Sequence, residues 1–271
     1  MRIGRVGIVI LGAALVATAC APAPATTMRS TSALASADDR LDAGMLAPFD
    51  NTLDENANGA VTAPQGADLR SFAFTSAALG RSMPYSIYLP PGYATSGGRY
   101  PVLYMLHGMS GTNQEWRGYG LVDRADKMIR SGELEPMLIV LPQGDKAYWV
   151  DHAAVDKEAW GRYMAHDVVN EIDSQFRTIA DAAHRAIGGV SMGAHGAMQL
   201  AMNYPGTFSV VGAHSLVLRR YDTAPSYFGQ PSDFAKRDPV QLAPAKAPRT
   251  AGWFCEWQQS IVRLRDGSGA P

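Results

Sequence analysis

The chain has 271 residues, 46% apolar and 18% charged, with 24 basic against 25 acidic side chains and a formal net charge of −1. That balance gives no overall pull toward nucleic acid or an anionic membrane surface, and the apolar share is globular, not disordered. Two cysteines, Cys20 and Cys255, exclude a disulfide-rich scaffold and a cysteine zinc site.

Arg2 and Arg5 form a short positive segment ahead of an uncharged, mostly apolar run over 6–19. The run is short for a bilayer span, which takes about 20 residues, and it suits the core of an export signal. It ends Ala17-Thr18-Ala19-Cys20, which resembles the lipobox of bacterial lipoproteins, with Cys20 as the lipid acceptor. Plain secretion, with cleavage after a small residue and Cys20 incidental, is the alternative. The expected layout is a signal peptide over 1–19, a flexible tether over 20–67, a folded domain over 68–247 and an atypical tail over 248–271. The tether is rich in Ala, Pro, Thr, Ser and Asp and lacks apolar periodicity. The expected location is outside the bacterial cytoplasm, either membrane-anchored or secreted.

Within the folded part, 71–75 and 83–89 read as two strands around a Leu79-Gly80-Arg81 turn, an antiparallel hairpin. Residues 100–106 form a continuous apolar strand of the type buried on both faces of a parallel sheet. A helix follows over 121–129, then a second such strand over 137–141, stopped by Pro142. Val168, Val169, Ile172 and Phe176 define one face of an amphipathic helix. A third strand over 186–190 leads into a helix over 192–203, and 210–213 read as a fourth. The alternation predicts an α/β domain with a mostly parallel sheet.

Gly189-Val190-Ser191-Met192-Gly193 is the chain's single Gly-x-Ser-x-Gly. The bare pattern is weak in a chain with 27 glycines. Here a buried strand enters and a small-residue helix leaves, with Ser191 at the join, the arrangement of a nucleophile elbow. Glycines on both sides permit a tight turn, and the helix start supplies free N–H donors. Leu106-His107-Gly108-Met109-Ser110-Gly111 follows the first buried strand, where hydrolases place the loop completing an oxyanion hole. The backbone N–H groups of Met109 and Met192 are the candidate donors, with Gly108 permitting close approach. His107 is read as fixing the loop, not as carrying a proton. Tyr148 to His152 could line a pocket or be purely structural. Asp167 and Asp173 read as capping or solvating their helix. His152 and His166 show no metal-ligand spacing, and no metal is expected.

Blocks at 85–93, 100–111, 136–144, 160–177 and 185–205, with Tyr227-Phe228-Gly229 and Arg237-Asp238-Pro239, resemble the Putative esterase family of α/β-hydrolases. This family includes esterase D (S-formylglutathione hydrolase), feruloyl and acetyl-xylan esterases, enterochelin esterases and the antigen 85 mycolyltransferases. The resemblance implies the α/β-hydrolase fold, with 68–247 as an esterase domain. It implies a serine esterase acting on small esters through an acyl-enzyme on Ser191, without a metal or organic cofactor; the near-zero net charge adds that no nucleic-acid partner is expected.

The resemblance ends near Leu242. A serine hydroxyl needs a base, and the base an orienting carboxylate. In α/β-hydrolases these follow the serine in the order acid, then histidine. All six histidines precede residue 215. His195 reads as packed on the elbow helix, and His214 as ending the next strand. Glu256 stands roughly where the acid is expected, in unmatched surroundings; Asp222, Asp233 and Asp238 come too early, and Asp266 sits in the tail. Residues 249–257 appear in place of the expected apolar strand, so the last strands are expected to be missing, as after a frameshift or early stop. A divergent tail is the alternative. The strand ending at Ala213 then becomes an exposed edge, partly covered by Trp253, Phe254, Trp257, Ile261 and Val262 on a short helix. Three functions follow: an exported serine esterase, a catalytically inactive hydrolase-fold protein, or an acyltransferase of mycolyltransferase type. Oligomeric state is not legible.

Overall fold

The computed structural model describes residues 66–153, 157–246 and 251–255. The expected signal, Cys20 and most of the tether lie outside these residues, as do Glu256, Trp257 and Asp266.

Strands β1 (Asp68–Ser76) and β2 (Arg81–Leu89) form the expected hairpin, paired from Asp68↔Leu89 to Ser76↔Arg81. Gly80 turns the chain at φ 66° and donates its N–H to the Ser76 carbonyl at 2.9 Å. Then follow β3 (Val102–Leu106), α1 (Glu115–Gly118), α2 (Leu121–Arg130) and β4 (Leu138–Pro142). Helix α3 joins Trp160–Arg162, a π-helical stretch Tyr163–Val168 and Val169–Gln175. Next come β5 (Arg185–Val190), α4 (Met192–Asn203) and β6 (Val210–His214), then α5 (Pro231–Phe234), α6 (Pro239–Lys246) and β7 (Ala251–Cys255).

The strands form one sheet in the order β1-β2-β4-β3-β5-β6-β7. Strand β2 meets β4 antiparallel, and β4, β3, β5, β6 and β7 run parallel. Their apolar runs are continuous because both faces are covered. Val102, Tyr104 and Leu106 join the core under α3 and α4, whereas Leu103 and Met105 join the core under α2. On β4, Leu138 and Val140 likewise face one layer and Ile139 and Leu141 the other.

Two expectations are corrected. Residues 249–257 contain a strand after all: β7 pairs in parallel with β6 from Val210↔Ala251 to His214↔Cys255. Strand β6 is therefore an inner strand, and Trp253 and Phe254 belong to β7 instead of a covering helix. Ladder pairing uses backbone N–H and C=O groups, which unrelated side chains offer equally well. Asp167 and Asp173 also do more than cap or solvate. The Asp167 carboxylate accepts from the Ser76 hydroxyl at 2.6 Å and the Ala78 N–H at 2.8 Å, tying α3 to the hairpin. Asp173 accepts from the Thr178 hydroxyl at 2.7 Å and pairs with Arg185 on β5.

Candidate active site

Strands β3 and β5 lie side by side, with Leu106 opposite Gly189. The chain leaves β3 toward β4 on one side, and β5 toward β6 on the other. At such a reversal the loops diverge beyond the carboxyl ends of the strands, the usual ligand position in sheets of this kind.

Ser191 follows the carboxyl end of β5 as the N-cap of α4, with φ 54° and ψ −112°. A non-glycine residue there is strained and persists only when its surroundings impose the geometry. Those surroundings are visible. The Ser191 N–H donates to the His214 carbonyl at 3.0 Å, and the His195 N–H donates to the Ser191 carbonyl at 3.2 Å. A Cβ on Gly189 would lie 2.3 Å from the Gly193 carbonyl carbon. One on Gly193 would lie 2.3 Å from the Leu106 carbonyl oxygen and 2.7 Å from that of His107. Both glycines thus allow backbone to touch backbone, β5 against the first turn of α4 and that turn against the end of β3. Met192, buried, begins the helix, where the first N–H groups have no intrahelical partner.

The loop after β3 is held from both sides. Gly144 donates its N–H to His107 Nε2 at 2.8 Å, so Nδ1 bears the proton and donates to the Gly108 carbonyl at 2.7 Å. Burial holds the His107 pKa below the usual imidazole range, consistent with this neutral tautomer. With both nitrogens engaged by backbone, His107 fixes the loop. From α1, the Trp116 indole N–H reaches the Leu106 carbonyl at 2.9 Å and the Glu115 carboxylate accepts the Gly108 N–H at 2.6 Å. Met109 is partly buried against the core under α4.

The structure therefore brings the loop that carries Gly108 and Met109 beside the turn that carries Gly189, Ser191, Met192 and Gly193, Gly193 lying against Leu106 and His107. It does not offer the neighbouring histidines equally. His195 is fully buried, Nε2 lying 2.9 Å from the Arg237 carbonyl and Nδ1 3.2 Å from that of Val217. His184 pairs with Asp181 at 2.7 Å, ahead of β5. His152 stacks on Tyr227 at 4.1 Å, and the His166 ring meets the edge of Tyr204 at 5.4 Å. His214 ends β6 opposite Val190, its ring 6.3 Å from that of Trp116 and its pKa lowered by burial. Among the early acids, Asp222 pairs with Arg220, Asp233 lies 3.6 Å from Lys236, and buried Asp238 accepts the Val240 N–H at the start of α6. Among the described residues, no three His, Cys, Asp or Glu side chains cluster as metal ligands.

Sequence reasoning missed Glu115, whose partner is a backbone N–H. The only trace was its position seven residues after Gly108. It also missed how Tyr148 and Trp149, at φ 54° and 57°, re-aim the loop after β4. Tyr148 packs edge-on against His195 at 5.1 Å, and Arg219 donates to its hydroxyl at 2.5 Å.

Residues 76–255 match the model of the Esterase family, described as Putative esterase. An esterase of Mycobacterium tuberculosis is 34% identical over 147 residues, 53% of this chain and 31% of that protein. S-formylglutathione hydrolase of Paracoccus denitrificans is 31% identical over 157 residues, 51% of this chain and 53% of that protein. The chain thus spans about a third to a half of these relatives' lengths. Among solved structures, a ferulic acid esterase is similar at TM-score 0.57 and 26% identity, over 65% of this chain and 70% of that one. S-formylglutathione hydrolase from Agrobacterium tumefaciens shares the fold at TM-score 0.61 and 18% identity, over 72% and 76% of the two chains.

Proposed function

Because the chain belongs to the Putative esterase family, we propose that it is a carboxylic-ester hydrolase acting on small esters through an acyl-enzyme on Ser191. The observation that carries this reading is the strained Ser191 backbone, φ 54°, at the reversal point of the sheet. It faces the pinned loop 107–111, and each flanking glycine has no room for a Cβ.

In this reading the Ser191 hydroxyl oxygen bonds to the ester carbonyl carbon and its proton passes to a base. The carbonyl oxygen becomes an oxyanion facing the Met109 and Met192 N–H groups. Collapse breaks the bond to the alcohol, which leaves with a proton, and a water then adds to the acyl-enzyme and releases the acid. His107 and His195 are poor bases for this step, since their ring nitrogens are already directed at backbone groups. The same observation favours a second reading, a hydrolase-fold protein that binds esters without turning them over. The apolar run over 6–19 and Cys20 support a place outside the cytoplasm, with a lipid anchor.

The test is hydrolysis of a 4-nitrophenyl acyl ester by the purified chain and by Ser191→Ala, beside a relative with a complete triad. Turnover abolished in Ser191→Ala supports the esterase. Turnover indistinguishable between the two proteins contradicts it. Oxyanion stabilisation and binding alone retain about 10³-fold acceleration in serine hydrolases stripped of their triad, so a slow rate that still needs Ser191 fits an elbow working without a full relay.

A further inference from the structure

We propose that Glu115 is a positioning residue that clamps the oxyanion loop, holding Gly108 by its N–H so that the next N–H, that of Met109, faces the Ser191 turn; the proposal rests on the serine-esterase reading above. The loop wraps around this carboxylate. Oε2 accepts the Gly108 N–H at 2.6 Å, and Oε1 accepts the Tyr119 hydroxyl at 3.1 Å. A Cβ on Gly111 would come within 2.4 Å of Oε2, so a side chain at 111 would push the carboxylate from its place under the loop. The Gly111 N–H returns to the Gly108 carbonyl at 3.1 Å, completing a turn around the acid.

The neighbouring contacts engage the backbone groups on either side of Met109. Trp116 fixes the Leu106 carbonyl, His107 fixes the Gly108 carbonyl, and Glu115 takes the Gly108 N–H. Among the described residues, no backbone carbonyl takes the Met109 N–H. An ionised carboxylate only accepts hydrogen bonds, which matches two donors directed at it. Burial raises the Glu115 carboxyl above its usual range, while its bonds to Gly108 and Tyr119 oppose the rise. The Tyr119 phenol, pushed up to about 12 by burial and by Glu115, remains a donor at neutral pH. A Gly108 carboxylate clamp differs from proton transfer in its prediction: it acts on loop geometry, so a neutral acceptor of the same length should substitute in part.

The experiment compares wild type, Glu115→Ala and Glu115→Gln by two readouts. The first is the rate of fluorophosphonate labelling at Ser191 with kcat and KM for a 4-nitrophenyl ester. The second is hydrogen exchange at the Gly108 amide. Losing the clamp should slow labelling and kcat about 10- to 100-fold, at or below the effect of deleting one oxyanion donor, with KM unchanged. Gln should recover most of that rate. Gly108 exchange should be slow in wild type, faster in Gln and fastest in Ala. If Glu115→Ala does not fold, Glu115→Gln carries the test through its Gly108 exchange alone. Equal labelling rates in folded variants, or Gly108 protection unchanged by substitution, overturns the clamp. No labelling of wild type contradicts the serine-esterase reading instead, and Gly108 exchange then still decides whether Glu115 holds the loop.

Discussion

Ser191 sits at φ 54° because its neighbours leave it no other place, and the cost of that strain falls on two glycines. Adding a methyl at Gly193 would drive it into the carbonyl oxygens of Leu106 and His107, which are backbone and cannot swing aside. Gly193→Ala should therefore cost about 1–3 kcal/mol, as overpacking does, read as a lower urea midpoint. Gly97 has open space around the position of a Cβ and no positive φ. Gly97→Ala should leave the midpoint unchanged or slightly raised through the unfolded chain. Equal effects at the two glycines would contradict this account of the elbow. The motif itself was legible in sequence, because glycine, serine and glycine are the residue types such a turn requires. Glu115 was not legible, since a backbone N–H leaves no mark in the partner's side chain.

The elements show the same division. Continuous apolar runs revealed β3, β4 and β5 because both sheet faces are buried, and small residues up to Asn203 revealed α4 to its bounds. Strand β7 escaped because its pairing with β6 is a backbone matter. The tertiary links of Asp167 and Asp173 escaped because Ser76 and Arg185 lie 91 and 12 residues away from them in sequence. Asp167→Ala would leave the buried Ser76 hydroxyl and the Ala78 N–H without their acceptor. A loss of about 1–3 kcal/mol is expected, again by urea denaturation. An unchanged midpoint would show that the link between hairpin and α3 carries no stability.

Buried histidines on the loop after β3, on α4 and at the end of β6 make these elements sensitive to acid. Burial lowers the pKa of His107, His195 and His214 below 6.5, so the unfolded chain takes up protons first on acidification. A lowered folded-state value means stability present at neutral pH and lost as pH falls below the unfolded value. Each histidine contributes a slope of up to about 1.4 kcal/mol per pH unit in that window. Glu115, raised by burial, works the opposite way and loses stabilisation as pH rises from its unfolded value of 4.5. Three groups against one give a net fall in urea midpoint between about pH 7.5 and 5.5. A midpoint that stays level or rises would contradict neutral, buried rings at these positions.

At the scale of the molecule, one reversal in strand order does the organising. It places the pinned loop after β3 beside the Ser191 turn after β5, at the carboxyl ends of neighbouring parallel strands. Two cores, one under α2 and one under α3 and α4, hold the sheet from both sides and give the strained serine a rigid support. Whether Ser191 is a working nucleophile is decided by mass-spectrometric mapping of the adduct formed by a fluorophosphonate probe on the purified full chain. A single adduct on Ser191, absent in Ser191→Ala, is expected. No adduct on the wild-type chain, or labelling that persists in Ser191→Ala, would contradict it.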